Sequence, residues 1–416
     1  MNRVLNPSKI FGSVNVPPSK SMMQRAVAIS LLTKGKTTIS NSSFCNDSKA
    51  ALSIAKSLGG DVTIDEKSKE VKICGNLDPV ESELNCGESG LSLRMFSPIV
   101  SLLDREIFIN GGGSLVSRPV DMIIDSLSKL GVFIRGNNNL LPLSIKGPIT
   151  KNCCTIDGSI SSQLLTGLLI ALPYLKNNSE IVVNNLKSRP YIDMTIDILK
   201  DFGIVIENYE YKRFFIKGNQ KYQSINYRVE GDWSSGASLL VAGALGGEIE
   251  VKGLDVNSKQ ADVTIVDILN LCGAKVEVSR DYVRVKKRGL KGFNFDLSDS
   301  PDLFPVVVAL GLNCSTISTL KGVKRLTYKE SNRGLVLKKE FEKLGGRISI
   351  DGDIMKVYPS SINGGILDSH NDHRIAMSGA LASINAKGSI TITDSECVEK
   401  SYSSFFDDFE SICENV

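Results

Sequence analysis

The chain has 416 residues, enough for two or three domains with cores of their own, so a single small module is excluded. Hydrophobic residues at 42% and charged residues at 23% fit an ordinary globular protein, neither disordered nor fibrous. With 49 Lys and Arg against 46 Asp and Glu, the formal charge of +3 is too small to hold a nucleic acid across a wide surface; an anion site has to come from local placement.

In chain order, the first element of note is MMQRAVAISLL, apolar or small nearly all round, which predicts a fully buried helix. KTTISNSSFCNDSKAALSIAKSLGGDVTI follows and reads as an alternating strand, a polar loop, an amphipathic helix and a glycine turn into another strand. The pair then recurs. SGLSLRMFSPIVSLL precedes REIFINGGGSLVSRPVDMIIDSLSKLGVFI, and SSQLLTGLLIALPYL precedes SEIVVNNLKSRPYIDMTIDILKDFGIVI. SSGASLLVAGAL leads into GEIEVKGLDVNSKQADVTIVDILNLCGAKVEV, and DLFPVVVALGL into STISTLKGVKRLTYKESNRGLVLKKEFEKLGGRISI. The last pair is NDHRIAMSGALASI with GSITITDSECVEKSYSSFFDDFESI, which ends before its turn. The turn glycines Gly59, Gly131, Gly203, Gly273 and Gly345 are separated by 72, 72, 70 and 72 residues, which marks a repeat. In the amphipathic helices the apolar positions share one face, as with Ile192, Ile196 and Leu199, or Ala261, Ile265, Ile268 and Cys272. Six such units predict an α/β protein with pseudo-symmetry.

The polar residues of the buried helices gather at their starts. They are Ser19, Lys20, Ser21 and Arg25; Glu88, Ser89, Gly90 and Arg94; Ser161, Ser162 and Gln163; Asp232, Ser234 and Ser235; Ser300, Pro301 and Asp302; and Asp372, His373 and Arg374. Free backbone N–H groups and the positive dipole end make a helix start favourable to anions. Ser234, Ser235 and Ser300 are expected simply to cap their helices. Capping does not account for Lys20, Arg25, Arg94 and Arg374, because a cation opposes the dipole there, so an anionic ligand is expected. LTYKESNRG adds Lys329, Glu330 and Arg333, a group equally readable as a charged surface turn, and the last unit adds Lys400. Seven candidate cations match two phosphorylated carboxylates, which together carry about −5 to −6. The six helix starts are expected to converge on one cleft, and the address of His373 favours a ligand contact over plain packing.

Nine cysteines, an odd number with no C-x-x-C pair, read as reduced thiols; Cys153 and Cys154 are expected ahead of a strand, packed or idle. The opening MNRVLNPSKIFGSVNVPP lacks an apolar run of signal length, and the longest apolar stretch, from Leu164 to Leu175, is too short to span a membrane. A cytoplasmic protein is expected. Two histidines and no paired-cysteine spacing argue against structural zinc, and the glycines at Gly111 to Gly113 are not a GxxxxGK phosphate loop.

At these residues the chain resembles the EPSP synthases of the enolpyruvyl transferase family. PPSKSMMQR, SGLSLR, DGSISSQLLTGLL, LKSRPYIDMT, GDWSS, SPDLFP, YKESNR and SHNDHRIAM occur in family order, with Lys400 last. The resemblance implies a two-domain inside-out α/β barrel of six repeats of about 70 residues, three per domain, closing over its substrates. One domain would span 18–228 and the other 1–17 plus 229–416, with crossovers near Val16 to Pro18 and Tyr227 to Gly231. The first would carry the shikimate 3-phosphate contacts, the second the catalytic carboxylates and phosphoenolpyruvate contacts.

The implied reaction moves the enolpyruvyl group of phosphoenolpyruvate to the 5-hydroxyl of shikimate 3-phosphate by addition and elimination. Asp302 resembles the family's base and Glu330 its acid, with Lys20 as a third catalytic residue. Lys20, Ser21, Arg25, Ser161, Ser162, Gln163, Ser188, Tyr191, Asp302 and Lys329 would contact shikimate 3-phosphate. Lys20, Gly90, Gln163, Arg333, His373, Arg374 and Lys400 would contact phosphoenolpyruvate. No cofactor or metal, no nucleic acid and no membrane partner is implied, and a monomer is expected. Four positions depart from the family pattern: Ser114 stands for an Arg of the glycine loop, Glu88 for an Asn, Arg325 for an Asn and Asn332 for an Asp. Arg94 or Arg118 is expected to take over part of the contact missing at Ser114. Two alternatives are the sister transferase acting on UDP-N-acetylglucosamine, which would need a Cys absent between Gly111 and Arg118, and a catalytically silent homologue.

Overall fold

A computed structural model describes residues 1–415. The chain forms two compact units, Pro18–Val229 and Met1–Pro17 with Glu230–Val416, each with its own hydrophobic core.

The Pro18–Val229 unit holds three four-stranded sheets that share one wiring. In the third, Cys153–Asp157 runs parallel to Ser179–Asn184, which pairs antiparallel with Arg213–Ile216, itself antiparallel to Ile206–Tyr209. The first sheet borrows its parallel strand, Asn226–Arg228 beside Lys36–Ser40, from the far end of the unit. Three helices, Lys20–Leu32, Gly90–Val100 and Gln163–Ala171, bury nearly every side chain, as sequences without a polar face must. Gly167 allows two of them to touch, since a Cβ there would stand 2.8 Å from the carbonyl oxygens of Arg94 and Met95. The outer helices Asn46–Ser57, Asp121–Lys129 and Arg189–Asp201 keep one face wet.

In the other unit, Gly247–Lys252 lies parallel to Ser8–Asn15, and Asn294–Asp296 parallel to Ser318–Lys321. The third sheet has three strands because the sixth repeat stops early; Arg3–Leu5 fills in antiparallel to Ile390–Thr393. Trp233–Gly246, Phe304–Leu312 and His373–Ser383 are the buried helices. The five turn glycines all hold positive φ, +98° at Gly59, +81° at Gly131, +79° at Gly203, +90° at Gly273 and +89° at Gly345. Each ends an outer helix and starts a strand with a left-handed residue, where a Cβ is disfavoured, so the spacing and the geometry share one cause.

Two expectations need correction. Cys153 and Cys154 lie within a strand rather than ahead of it, where burial pushes the Cys154 thiol up to about 11. Among the expected capping serines, neither Ser234, Ser235 nor Ser300 caps with its side chain. Asp232 is the last extended residue before its helix and accepts from the Ser235 N–H at 2.7 Å, which leaves Ser234 Oγ for another partner.

Candidate active site

In the Pro18–Val229 unit the starts of the three buried helices are tied together by side chains. Lys20 Nζ donates to Asp47 Oδ2 at 2.9 Å, and Gln24 Nε2 donates to Asp47 O at 2.8 Å and Ser89 Oγ at 2.9 Å. Ser89 caps the second helix by accepting from Ser92 N at 3.1 Å. Arg94 Nη1 reaches Gln163 Oε1 on the third helix at 3.1 Å, and Gln163 N donates to Ser161 Oγ at 3.2 Å. A Cβ on Gly90 would lie 2.8 Å from Arg94 Nη1 and 3.0 Å from Arg118 Nη1, so two guanidinium groups crowd one glycine at a helix start. Arg118 is fixed by donating to Ser114 Oγ at 2.9 Å. The structure thus places a cation beside the residue that departs from the family pattern. Glu88 has a role as well: its carboxylate accepts from Ser114 N at 3.2 Å and fills the space a Cβ on Gly113 would need.

Arg25 is 1% exposed. It donates to Thr195 Oγ1 at 2.9 Å, Ser21 O at 2.8 Å, Thr166 Oγ1 at 3.4 Å and Tyr191 O at 3.5 Å, all neutral acceptors. Burial lowers its pKa to about 10 despite the neighbouring Tyr191 and Tyr227. A buried cation held only by neutral groups retains much of its desolvation cost, on the order of several kcal/mol, which an anion would offset. Ser162 is buried nearby in sequence to Gln163, and Ser188, also buried, takes a left-handed φ of +55°, a strained conformation for a residue with a Cβ.

In the other unit Arg333 is the hub. It opens the Arg333–Lys343 helix, is 1% exposed, and spans three carboxylates. Nε donates to Asp372 Oδ2 at 2.8 Å, Nη1 to Asp302 Oδ1 at 2.7 Å, and Nη2 to Glu330 and, at 3.2 Å, to Asp372 Oδ1. Asp302 also accepts from Lys329 Nζ at 3.2 Å and faces Arg374 Nη2 at 3.7 Å. Burial works to raise its pKa, yet Lys329, Arg374 and Arg333 together hold the carboxyl well below the usual range. Burial lowers the Lys329 pKa, and Asp302 partly restores it. Asp372 caps the His373–Ser383 helix by accepting from Arg374 N at 3.0 Å; His373 is buried with Nδ1 3.9 Å from Asp372 Oδ1. Lys400 Nζ donates to Asn371 O at 2.5 Å, where His370, Asn371 and Asp394 all hold positive φ. YKESNR is therefore no solvated turn: Arg333 is buried, Lys329 and Glu330 half so, and Asn332 caps the helix through Leu335 N.

Asp47 and Asp262 are residues that the sequence reading passed over. Asp47 and Arg333 each stand twelve residues before their turn glycines, Gly59 and Gly345, and Asp262 eleven before Gly273. The start of an outer helix recurs as a polar position facing a buried helix start, and the repeat spacing could have flagged it.

The sequence matches the family described as EPSP synthase (3-phosphoshikimate 1-carboxyvinyltransferase) over residues 4–409. The 3-phosphoshikimate 1-carboxyvinyltransferase of Clostridium novyi (strain NT) is 40% identical over 418 residues, covering 98% of this chain and 96% of the relative. That of Clostridium perfringens (strain ATCC 13124) is 38% identical over 415 residues, covering 98% and 97%. Among solved structures, EPSP synthase from Acinetobacter baumannii superimposes with a TM-score of 0.83 at 25% identity, covering 99% of this chain and 98% of that one. The two-domain inside-out α/β fold of that family is the fold of this chain.

Proposed function

Because the chain belongs to the EPSP synthase family, we infer that it transfers the enolpyruvyl group of phosphoenolpyruvate to the 5-hydroxyl of shikimate 3-phosphate and releases phosphate. The observation that carries most weight beyond kinship is Arg25, a buried guanidinium whose hydrogen-bond acceptors among the described residues are all neutral. In the Pro18–Val229 unit, Ser21, Arg25, Ser161, Ser162, Ser188 and Tyr191 are assigned to shikimate 3-phosphate, Gly90 to phosphoenolpyruvate, and Lys20 and Gln163 to both. In the other unit, Lys329 is assigned to shikimate 3-phosphate, and Arg333, His373, Arg374 and Lys400 to phosphoenolpyruvate; Arg118 joins this second set from beside Gly90.

Glu330 protonates the enol methylene, which leaves cationic character at the carbon bearing the phosphate, and the 5-hydroxyl oxygen attacks that carbon as Asp302 takes its proton. Loss of phosphate and of a methyl proton restores the double bond as an enol ether. The fixed cations stabilise the charge that builds on the leaving phosphate. The UDP-N-acetylglucosamine reaction is not favoured, since the relatives are 3-phosphoshikimate enzymes and the glycine loop has no Cys. Among the described residues no helix is long and apolar enough to cross a membrane. All nine cysteines are free, which supports a reducing compartment, and our reading remains a monomer working in the cytoplasm.

Arg25→Met tests the site. The threonines left behind keep a hydrogen bond each, since Thr195 Oγ1 donates to Tyr191 O at 2.7 Å and accepts from Thr166 Oγ1 at 3.2 Å, and Ser21 O lies within the Lys20–Leu32 helix. Shikimate 3-phosphate affinity is expected to fall at least about 100-fold by calorimetry while the unliganded Tm does not drop, because a buried charge has been removed. Unchanged affinity, or a Tm loss with affinity intact, contradicts the assignment. Arg94→Ala is expected to raise the KM for phosphoenolpyruvate about tenfold, one charge-assisted contact, leaving that for shikimate 3-phosphate near its starting value. An unmoved KM for phosphoenolpyruvate would leave Arg118 as the sole replacement cation.

A further inference from the structure

Glu340 belongs to none of the roles above, yet it is fully buried, two turns along the Arg333–Lys343 helix from Arg333. Its Oε1 accepts from His370 Nε2 at 2.9 Å and Lys343 Nζ at 2.8 Å, and its Oε2 accepts from Asp368 N at 3.0 Å and Lys343 Nζ at 2.7 Å. Burial works to raise its pKa, but the hydrogen bonds from His370, Lys343 and Asp368 N lower it overall, so the group is a carboxylate at neutral pH. A carboxylate only accepts, which fixes a proton of the His370 ring on Nε2.

The strand Gly365–Asp368 leads from this contact into a turn where His370 and Asn371 have φ of +51° and +53°. Left-handed backbone costs a residue with a Cβ about 1–2 kcal/mol, so two in succession have to be held by their contacts. Within the turn, His370 N donates to Asp368 Oδ1 at 2.8 Å and Asn371 N to Ser369 Oγ at 3.1 Å. Glu340 holds it from a separate helix. On the far side of the turn Asn371 O accepts from Lys400 Nζ at 2.5 Å, and Asp372, the acid that grips Arg333, comes next. We propose that Glu340 and His370 are positioning residues for the phosphoenolpyruvate site, a carboxylate–imidazole pair that holds the left-handed turn and, through the Asn371 carbonyl, sets the place of the Lys400 ammonium. The inference rests on Lys400 binding phosphoenolpyruvate.

Stability alone gives little reason for a carboxylate at this position, since well-packed apolar side chains often stabilise as much as a buried ion pair. What the carboxylate adds is direction. One oxygen fixes the ring of His370 and the other the backbone at Asp368, so the end of the strand and the start of the turn are both tied to the helix that begins with Arg333.

The test measures kcat, both KM values and melting in His370→Asn, His370→Gln, Glu340→Gln, Lys400→Met and the double variant His370→Asn/Lys400→Met. Asn tolerates left-handed backbone, but its amide stops short of Glu340, whereas Gln carries an N–H about as far out as His Nε2. His370→Asn is expected to raise the KM for phosphoenolpyruvate about tenfold and to leave that for shikimate 3-phosphate within about twofold. His370→Gln should bring the raised value back to within about threefold of wild type. Glu340→Gln should shift the same KM in the same direction, and it strands no buried charge because Lys343 is 45% exposed. Lys400→Met should raise that KM about 10- to 100-fold, and adding His370→Asn should change it less than about twofold more, because the pair acts through Lys400. His370→Asn and Glu340→Gln are independent, so if one fails to fold the other decides. A KM for phosphoenolpyruvate within twofold of wild type, both KM values rising alike with a lower Tm, or effects that multiply in the double variant overturn the inference alone. Absence of wild-type turnover, or an unmoved KM in Lys400→Met, overturns the reading beneath it and takes this inference with it.

Discussion

Asp302→Asn is expected to lower kcat by about 10²- to 10⁴-fold, the range for removing a general base, with much smaller changes in KM. Asn keeps the shape of the side chain and can still accept hydrogen bonds from Lys329 and Arg333, but it cannot take the proton of the 5-hydroxyl. The same variant carries a pH signature in stability. The folded carboxyl is held well below its ordinary value of 3.8, so the carboxylate stabilises the fold at every pH above that value. That contribution is lost only as pH falls below 3.8 toward the folded pKa. The variant should therefore melt below wild type at pH 7, with the gap closing in acid. A kcat within threefold of wild type removes Asp302 from the role of base.

Arg333→Leu is expected to cost about 3–5 kcal/mol in urea unfolding and to leave no measurable turnover. One guanidinium serves Asp302, Glu330 and Asp372, and Asp372 is fully buried, so its removal strands negative charge where water cannot reach. Asp372 would keep Ser331 Oγ at 3.0 Å and Arg374 N at 3.0 Å, neither of which neutralises it. Arg333→Lys should recover part of the stability, since the charge returns but the fork that reaches three acids does not. Adding Asp372→Asn to Arg333→Leu should recover more, because the stranded carboxylate is then gone. A loss below about 1 kcal/mol for Arg333→Leu would show that the three acids do not depend on it.

The repeat was legible because its signals are local. A glycine in the left-handed region and a helix without a polar face each leave a mark within a dozen residues, and the five turn glycines bear the expected backbone. Lys20, Arg25, Arg94 and Arg374 stood out by opposing the helix dipole, and the structure buries or half-buries each of them. What escaped are partners set by tertiary packing. Asp47 meets Lys20 across 27 positions, Arg333 meets Asp372 across 39, and no periodicity announces either. Ser234 was misread for a related reason: composition shows several capping residues in a row, and only the backbone decides that Asp232 caps. That Arg118 lies beside Gly90, in a loop where Glu88 holds Ser114 N, is likewise set by tertiary packing and is not announced by the Ser114 departure.

Phosphate release from the purified protein, followed with shikimate 3-phosphate and phosphoenolpyruvate together and with each alone, bears on the whole account most directly. Release that requires both compounds, matched mole for mole by formation of the enol ether, is the predicted result. No release with the pair, or release only when UDP-N-acetylglucosamine replaces shikimate 3-phosphate, contradicts it.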